Sequence, residues 1–144
     1  MTVDRTTATA HKLSRYDGAC ANVHGHNIDW EIEIVVSMED TGNDNMPLDF
    51  KQVSEIIDQV DHELLLSRED EMLELDPAWG GAPSDENLPV RYVSEVYGPV
   101  WVFDGDPTCE LLADWMRSEI GELDSVVESW VTAYETEKYG MKTV

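Results

Sequence analysis

Strict alternation of apolar and polar side chains in Asn27–Met38 constrains the fold of this chain more than any other feature. The apolar positions are Ile28, Trp30, Ile32, Ile34 and Val36. The positions between them include Asp29, Glu31 and Glu33. Because successive strand residues point to opposite faces of a sheet, the pattern predicts a half-buried strand. The threonine-rich segment Val3–Leu13 is its predicted antiparallel partner, across the loop Ser14–Val23.

From Asp49 onward the apolar spacing becomes that of a helix, and Asp49 is the expected N-cap. The predicted apolar stripe consists of Phe50, Val53, Ile56, Ile57, Val60 and Leu64. A second helix is predicted to begin at Asp106-Pro107-Thr108 and to end at Gly121. Its expected buried residues are Leu111, Leu112, Trp115 and Ile120.

Strand patterns return in Ser125–Thr136 and Tyr139–Val144. In the first, one face is expected to carry Val127, Val131 and Ala133, and the other Trp130 and Tyr134. Between the helices, residues 69–100 are predicted to be an insertion with a loop and a hairpin that turns at Gly98-Pro99. The order strand, strand, helix, insertion, helix, strand, strand predicts a single α+β domain over residues 1–144, an antiparallel sheet with two helices on one face.

The charge balance limits the function. The chain has 31 acidic and 9 basic residues, a formal net charge of −22. Binding to nucleic acid requires a basic patch, so this class of partner is not expected. A hydrophobic content of 42% and five tryptophans argue against a disordered acidic chain. A carboxylate-covered folded protein is instead typical of molar-salt cytoplasm, and we predict a halophilic archaeal source.

The expected location is the cytoplasm. Residues 1–13 hold no apolar block typical of a signal peptide, and no stretch approaches the roughly 18 apolar residues of a membrane span. The two cysteines, Cys20 and Cys109, lie far apart, which favours a reducing compartment over a disulfide scaffold.

Three of the four histidines suggest a metal site. His24 and His26 project to the same face of a strand, and a paired strand can bring His11 beside them. Three imidazoles and an open fourth position are typical of catalytic zinc. The alternative is a pair of partly buried histidines with ordinary hydrogen bonds.

Other residues carry weaker signals. Cys20 lies four residues before His24 and is interpreted as a metal-activated thiolate, a small buried apolar residue or a fourth zinc ligand. Asp61 and His62 form either a proton-transfer pair or a histidine that interacts with a helix dipole. Glu135 follows the face of Val131 and Ala133, although a solvated carboxylate is the usual role of such a residue.

Six segments together resemble the 6-pyruvoyl-tetrahydropterin synthase family, including its 6-carboxy-tetrahydropterin synthase branch. They are ATAHKL, CANVHGHN, LDF, VDHELL, DPTCELLADWM and AYETEKYG. The resemblance covers the chain except for about residues 69–100, and it implies the family's tunnelling fold. It also implies a hexamer made of two trimers, with active sites between subunits.

The resemblance assigns a role to each candidate. It implies zinc ligands at His11, His24 and His26, a catalytic cysteine at Cys20 and paired proton-transfer residues at Asp61 and His62. It further implies that Glu135 anchors a pterin ring in a pocket lined by Thr108 and Glu110. The expected reaction within this family converts 7,8-dihydroneopterin triphosphate to 6-carboxy-tetrahydropterin, acetaldehyde and triphosphate, in the 7-deazaguanine pathway of a salt-adapted microbe. The alternatives are a 6-pyruvoyl pterin product and a non-catalytic zinc- or pterin-binding scaffold. The candidate cations for the triphosphate are Lys12, Arg15, Lys51, Lys138 and Lys142.

Overall fold

A computed structural model describes residues 1–15, 18–39, 45–81, 87–136 and 139–143. Its elements, in chain order, are β1 (Thr2–His11), a 3-10 turn (Ala19–Ala21), β2 (His24–Val36), α1 (Phe50–Asp58), β3 (Glu63–Ser67), α2 (Glu71–Glu74), β4 (Val90–Ser94), β5 (Gly98–Phe103), α3 (Cys109–Gly121), β6 (Val126–Thr136) and β7 (Tyr139–Thr143). Within these ranges, no helix is both long enough and apolar enough to cross a bilayer.

The chain divides into two compact units, which are described separately. The first unit contains Met1–Thr7, Asn27–Gln59 and Cys109–Val144. In it, β2 pairs with β6 and β6 with β7, both antiparallel. The backbones of Met1 and Ile34 exchange two hydrogen bonds of 2.8 Å, the pattern of an antiparallel pair, as predicted for the first two strands.

The alternation in β2 is confirmed by burial. The side chains of Ile28, Trp30, Ile32 and Ile34 are all buried. The indole N–H of Trp30 donates a 2.9 Å hydrogen bond to the hydroxyl of Thr7, which is also buried. The polar atom of this large core residue is therefore satisfied within the first unit.

On β6 the predicted face is correct from Val131 onward but wrong at Val127. Val131 and Ala133 are buried, whereas Val127 is 67% exposed and Ser129 is buried. The pairing with β2 shifts register between Val35 and Val36, so that Val127 is an extra residue in the strand. Such a bulge reverses the side-chain alternation, and simple period-two patterning does not predict it.

Helix α1 begins as predicted and ends earlier. Asp49 accepts a hydrogen bond from the Lys51 backbone, and Gln52 completes a capping box. The helix ends at Asp58, and Phe50 is exposed. The final position of the predicted stripe, Leu64, belongs instead to β3, where the consecutive apolar residues Leu64–Leu66 suit a strand within a parallel pair.

Helix α3 buries a stripe that differs from the predicted one. Its buried residues are Leu112, Ala113, Met116 and Ile120. Leu111 and Trp115 are only half-buried, so their predicted burial is wrong. Leu112, Met116 and Ile120 recur every four residues, and the parallel row at Leu111 and Trp115 flanks this stripe.

The second unit contains Ala8–His26 and Val60–Thr108, with strand order β4-β5-β3-β1. β1, β3 and β5 are parallel, and β4 is antiparallel to β5. The α+β class is confirmed, but the sheet is mixed rather than wholly antiparallel. The parallel strand β3 was not predicted because it is short and because its apolar residues continue the spacing of α1.

Residues 69–100 contain regular structure. They include α2, β4 and the start of β5. Leu73 and Val100 from this segment form a buried cluster with Leu66 and Val102. The predicted hairpin is present, but it turns at residues 95–97. Gly98 follows the turn with φ of 75°, a left-handed conformation that glycine adopts without steric cost. Part of the predicted loop, residues 82–86, lies outside the described residues.

Melting temperature is expected to rise between tens of millimolar and molar KCl. The ion pairs include Arg5–Asp58, Lys12–Asp70, Arg68–Asp104 and Arg91–Glu63. With 31 acidic and 9 basic residues, most carboxylates have no cation to pair with, and their repulsion is screened as the Debye length falls to about 3 Å at 1 M salt. Thermal unfolding in KCl, with equimolar zwitterionic betaine as the control, tests this. A flat or falling temperature in KCl would contradict salt adaptation.

Candidate metal centre

The second unit brings the three predicted histidines together. His11 ends β1, while His24 and His26 lie two residues apart at the start of β2. One potential ligand atom from each ring lies within 4.8 Å of the other two. The ring centroids are 4.5 Å apart for His11–His24, 5.1 Å for His11–His26 and 4.7 Å for His24–His26. The convergence expected from strand geometry is therefore present.

Backbone carbonyls orient two of the rings. Nδ1 of His11 lies 2.8 Å from the carbonyl oxygen of Pro107, and Nδ1 of His24 lies 2.6 Å from that of Asn22. An imidazole that donates from Nδ1 keeps the Nε2 lone pair for a metal, the usual support for a metal-binding histidine. Nε2 of His11 is buried, and the buried Nε2 atoms of His24 and His26 have no hydrogen-bond partner within the described ranges.

This donor set fits a divalent metal ion. Three neutral imidazoles are a known ligand set of catalytic zinc, with the fourth position left for water or substrate. Ordinary hydrogen-bonded histidines would not leave the two Nε2 atoms of β2 buried without partners.

Cys20 lies beside the end of β1. It belongs to the 3-10 turn, and its carbonyl oxygen accepts a 2.9 Å hydrogen bond from the backbone of Leu13, two residues after His11. Its thiol is half-buried and forms no disulfide. Among the described residues, the cluster of potential ligand atoms consists of the three imidazoles and does not include this sulfur. Cys20 is therefore not one of the candidate ligands that the described residues bring together.

Asp106 holds Ser14 and Arg15, which follow the end of β1. Its carboxylate accepts hydrogen bonds from the Ser14 backbone at 2.8 Å, the Ser14 hydroxyl at 2.6 Å and the Arg15 backbone at 3.0 Å. Pro107, the next residue, provides the carbonyl that orients His11. Asp106 and Pro107 therefore fix both a candidate ligand and the two residues Ser14 and Arg15, a role that the sequence analysis missed.

Asp106→Asn is expected to lower the stability of the folded protein at neutral pH, where the native carboxylate is ionised, and to have less effect in acid. Burial raises the pKa of Asp106, but the hydrogen bonds from Ser14 and Arg15 outweigh it and hold the pKa below its ordinary value. A lowered folded-state pKa stabilises the protein above the unfolded-state pKa of about 3.9, and this stability is lost as pH falls through the folded value. The melting temperature of the variant should lie below that of wild type at pH 7, and the gap should narrow toward pH 3. A gap independent of pH would contradict this linkage.

Asp61 and His62 form the predicted pair. Oδ2 of Asp61 lies 3.0 Å from Nδ1 of His62, in the turn between α1 and β3. Ala8 of β1 holds the turn, because its N–H donates to Asp61 at 2.9 Å and its carbonyl accepts from the His62 backbone at 2.6 Å. Since α1 ends at Asp58, the contact favours the proton-transfer pair over the helix-dipole interpretation.

The backbone of His62 is strained. Its φ is 59°, a left-handed conformation that residues other than glycine adopt rarely and that is frequent at functional sites. Its side chain is 81% exposed. Ala8 precedes His11 by three residues, a separation of about 10 Å along the strand.

The remaining candidates flank α3. Thr108 is half-buried and donates its N–H to the Asp106 carbonyl at 2.8 Å, while Glu110 is exposed in the first helical turn. Glu135 is half-buried in β6 and hydrogen-bonded to Cys109, so it is not an ordinary solvated carboxylate.

Most of the candidate cations already have acidic partners. Lys12 pairs with Asp70 and Glu71, Arg15 with Glu69 and Lys51 with Glu55. Lys142 lines a surface cleft with Glu31 and Glu33, and Lys138 lies outside the described residues. The structure selects none of them as a phosphate ligand.

The second unit thus contains the cluster of three imidazoles, the Asp61–His62 contact and the 3-10 turn that carries Cys20. The model of the 6-pyruvoyl tetrahydropterin synthase family matches residues 1–143, and the chain belongs to this family. Its members are lyases that process pterins.

Similar individual proteins include one sequence relative and two solved structures. A Pyrococcus horikoshii protein, provisionally named 6-carboxy-5,6,7,8-tetrahydropterin synthase, is 37% identical over 54 residues, which span 38% of this chain and 32% of that relative. An uncharacterised protein of Wolinella succinogenes has a similar structure with a TM-score of 0.67 at 16% identity, covering 99% of this chain and 96% of the other. The 6-pyruvoyl tetrahydropterin synthase of Caenorhabditis elegans gives a TM-score of 0.56 at 19% identity, covering 99% and 92%. At these identities the two structures support the fold alone.

Proposed function

We propose that the protein is a zinc-dependent 6-carboxy-5,6,7,8-tetrahydropterin synthase. It would convert 7,8-dihydroneopterin triphosphate and water to 6-carboxy-tetrahydropterin, acetaldehyde and triphosphate. The observation that carries the proposal is the convergence of His11, His24 and His26 in a chain whose family processes pterins. The partial match to the Pyrococcus protein favours this product over a 6-pyruvoyl pterin.

The histidines would hold the zinc ion, which when bound supplies Lewis-acid chemistry at the side-chain hydroxyls of the substrate. Cys20, as a thiolate, moves protons at the side-chain carbons. His62, oriented by the 3.0 Å contact with Asp61, handles protons on the opposite face. Glu135 accepts two hydrogen bonds from the guanidine-like edge of the pterin ring, and Thr108 and Glu110 line the ring pocket.

The exposed side chain of His62 agrees with a site completed by a second copy of the chain. We therefore propose a hexamer built from two trimers, with active sites between subunits. The acidic composition supports a salt-adapted, archaeal cytoplasm, in which 7-deazaguanine biosynthesis would use the product.

Product identification tests the proposal. Zinc-loaded protein is incubated with 7,8-dihydroneopterin triphosphate in molar KCl, and the pterin is identified by mass while acetaldehyde is measured. Equimolar 6-carboxy-tetrahydropterin and acetaldehyde are expected. A 6-pyruvoyl pterin without acetaldehyde would overturn the choice of branch, and absence of turnover across salt concentrations would favour a binding scaffold.

A further inference from the structure

Cys109, the second cysteine of the chain, lies within the first unit in contact with Glu135. It opens α3, which packs against β6. Its thiol is hydrogen-bonded to the Glu135 carboxylate, and the backbone N–H of Glu135 donates to its sulfur. One small side chain therefore contacts both the backbone and the functional group of the same residue.

Glu135 lies at an irregularity of the strand ladder, beside the contact with Cys109. In the ladder between β6 and β7, Tyr134 pairs with Gly140 and Thr136 with Tyr139, so that Glu135 is the additional residue of a bulge. A bulge removes one residue from regular strand pairing and redirects its side chain. The backbone N–H of this bulge residue donates to the sulfur of Cys109.

The thiol of Cys109 is suited to donate a hydrogen bond rather than to react as a thiolate. Burial, followed by the charge of Glu135, raises the pKa of its thiol to about 12. The thiol consequently keeps its proton near neutral pH and can donate to a carboxylate, in contrast to the thiolate role proposed for Cys20.

We propose that Cys109 is a positioning residue for pterin recognition: its two contacts with Glu135 fix the carboxylate at the bulge in the orientation that receives the ring. This inference rests on the proposed function, because the pterin contact of Glu135 belongs to it. A carboxylate held in place loses less conformational freedom when it binds the planar donor edge, so the contact should strengthen ring binding.

Binding of 7,8-dihydroneopterin to the zinc-loaded full-length protein separates positioning from packing. Cys109→Ala should weaken binding about tenfold, the loss of about one hydrogen bond's free energy. Cys109→Ser keeps a donor and an acceptor and should remain within about threefold of wild type, with zinc content and melting temperature unchanged in both variants. Wild-type affinity in Cys109→Ala, or equal losses in both variants with lowered melting temperatures, would overturn the proposal.

Thiol alkylation tests the contact without relying on pterin binding. In a Cys20→Ala background Cys109 is the remaining cysteine, and iodoacetamide should modify it slowly at pH 8. Adding Glu135→Gln removes the charge and should raise the rate about tenfold. If Glu135→Gln leaves the rate of Cys109 modification unchanged, the proposed contact between the two side chains is wrong. An unchanged pterin affinity in Glu135→Ala would instead overturn the ring-binding role of Glu135, and with it the purpose of the contact.

Discussion

Zinc affinity is expected to fall by more than about a hundredfold when His24 is replaced by alanine, because two imidazoles cannot hold the ion as three do. The Nε2 atom of His24 is buried, and its Nδ1 is already engaged by the carbonyl of Asn22, which leaves Nε2 as the candidate ligand atom. Competition with a chromophoric chelator measures the affinity, and His26→Ala should behave in the same way.

His62→Ala is the matched control. It removes an imidazole that is 81% exposed and lies outside the cluster, so the zinc affinity should stay at the wild-type value. Tight zinc binding by His24→Ala, or equal losses of zinc affinity in His24→Ala and His62→Ala, would show that zinc does not bind at the three histidines.

Turnover is expected to fall about a thousandfold in Cys20→Ala, in the range for loss of a proton-transfer group. Zinc content and affinity for dihydroneopterin should be retained, because the sulfur lies outside the cluster of ligand atoms. The effect should therefore appear in kcat and not in substrate affinity. Single-turnover kinetics with the triphosphate substrate measure it.

The control for this variant is the other cysteine. Cys109→Ala should retain most of kcat and change mainly the binding of the pterin, because Cys109 contacts Glu135. Loss of zinc from Cys20→Ala would identify Cys20 as a ligand, and wild-type kcat would exclude it from proton transfer.

Patterns governed by short-range geometry were predictable from the sequence. The alternation of β2, the Asp49 cap and the placement of His24 and His26 on one face follow from fixed periods and local hydrogen bonding. His11 could be placed beside them because adjacent strands bring their ends together.

Features that depend on the exact register of a strand, or on which strands flank it, were not predictable. The bulge that exposes Val127 arises from the register between β2 and β6, and β3 becomes a strand because β1 and β5 flank it. The contacts of Asp106 with Ser14 and of Cys109 with Glu135 join residues that are distant in sequence. The spacing of apolar residues along the sequence does not predict contacts between such distant side chains.

Zinc K-edge absorption spectroscopy of the purified protein measures directly what surrounds the ion at the three histidines. About one zinc per chain is predicted, with three imidazole nitrogens at about 2.0–2.1 Å, a further oxygen ligand and no sulfur. A sulfur shell at about 2.3 Å would show that a thiolate closes the site. Absence of zinc after incubation with the metal would contradict a metal centre formed by His11, His24 and His26.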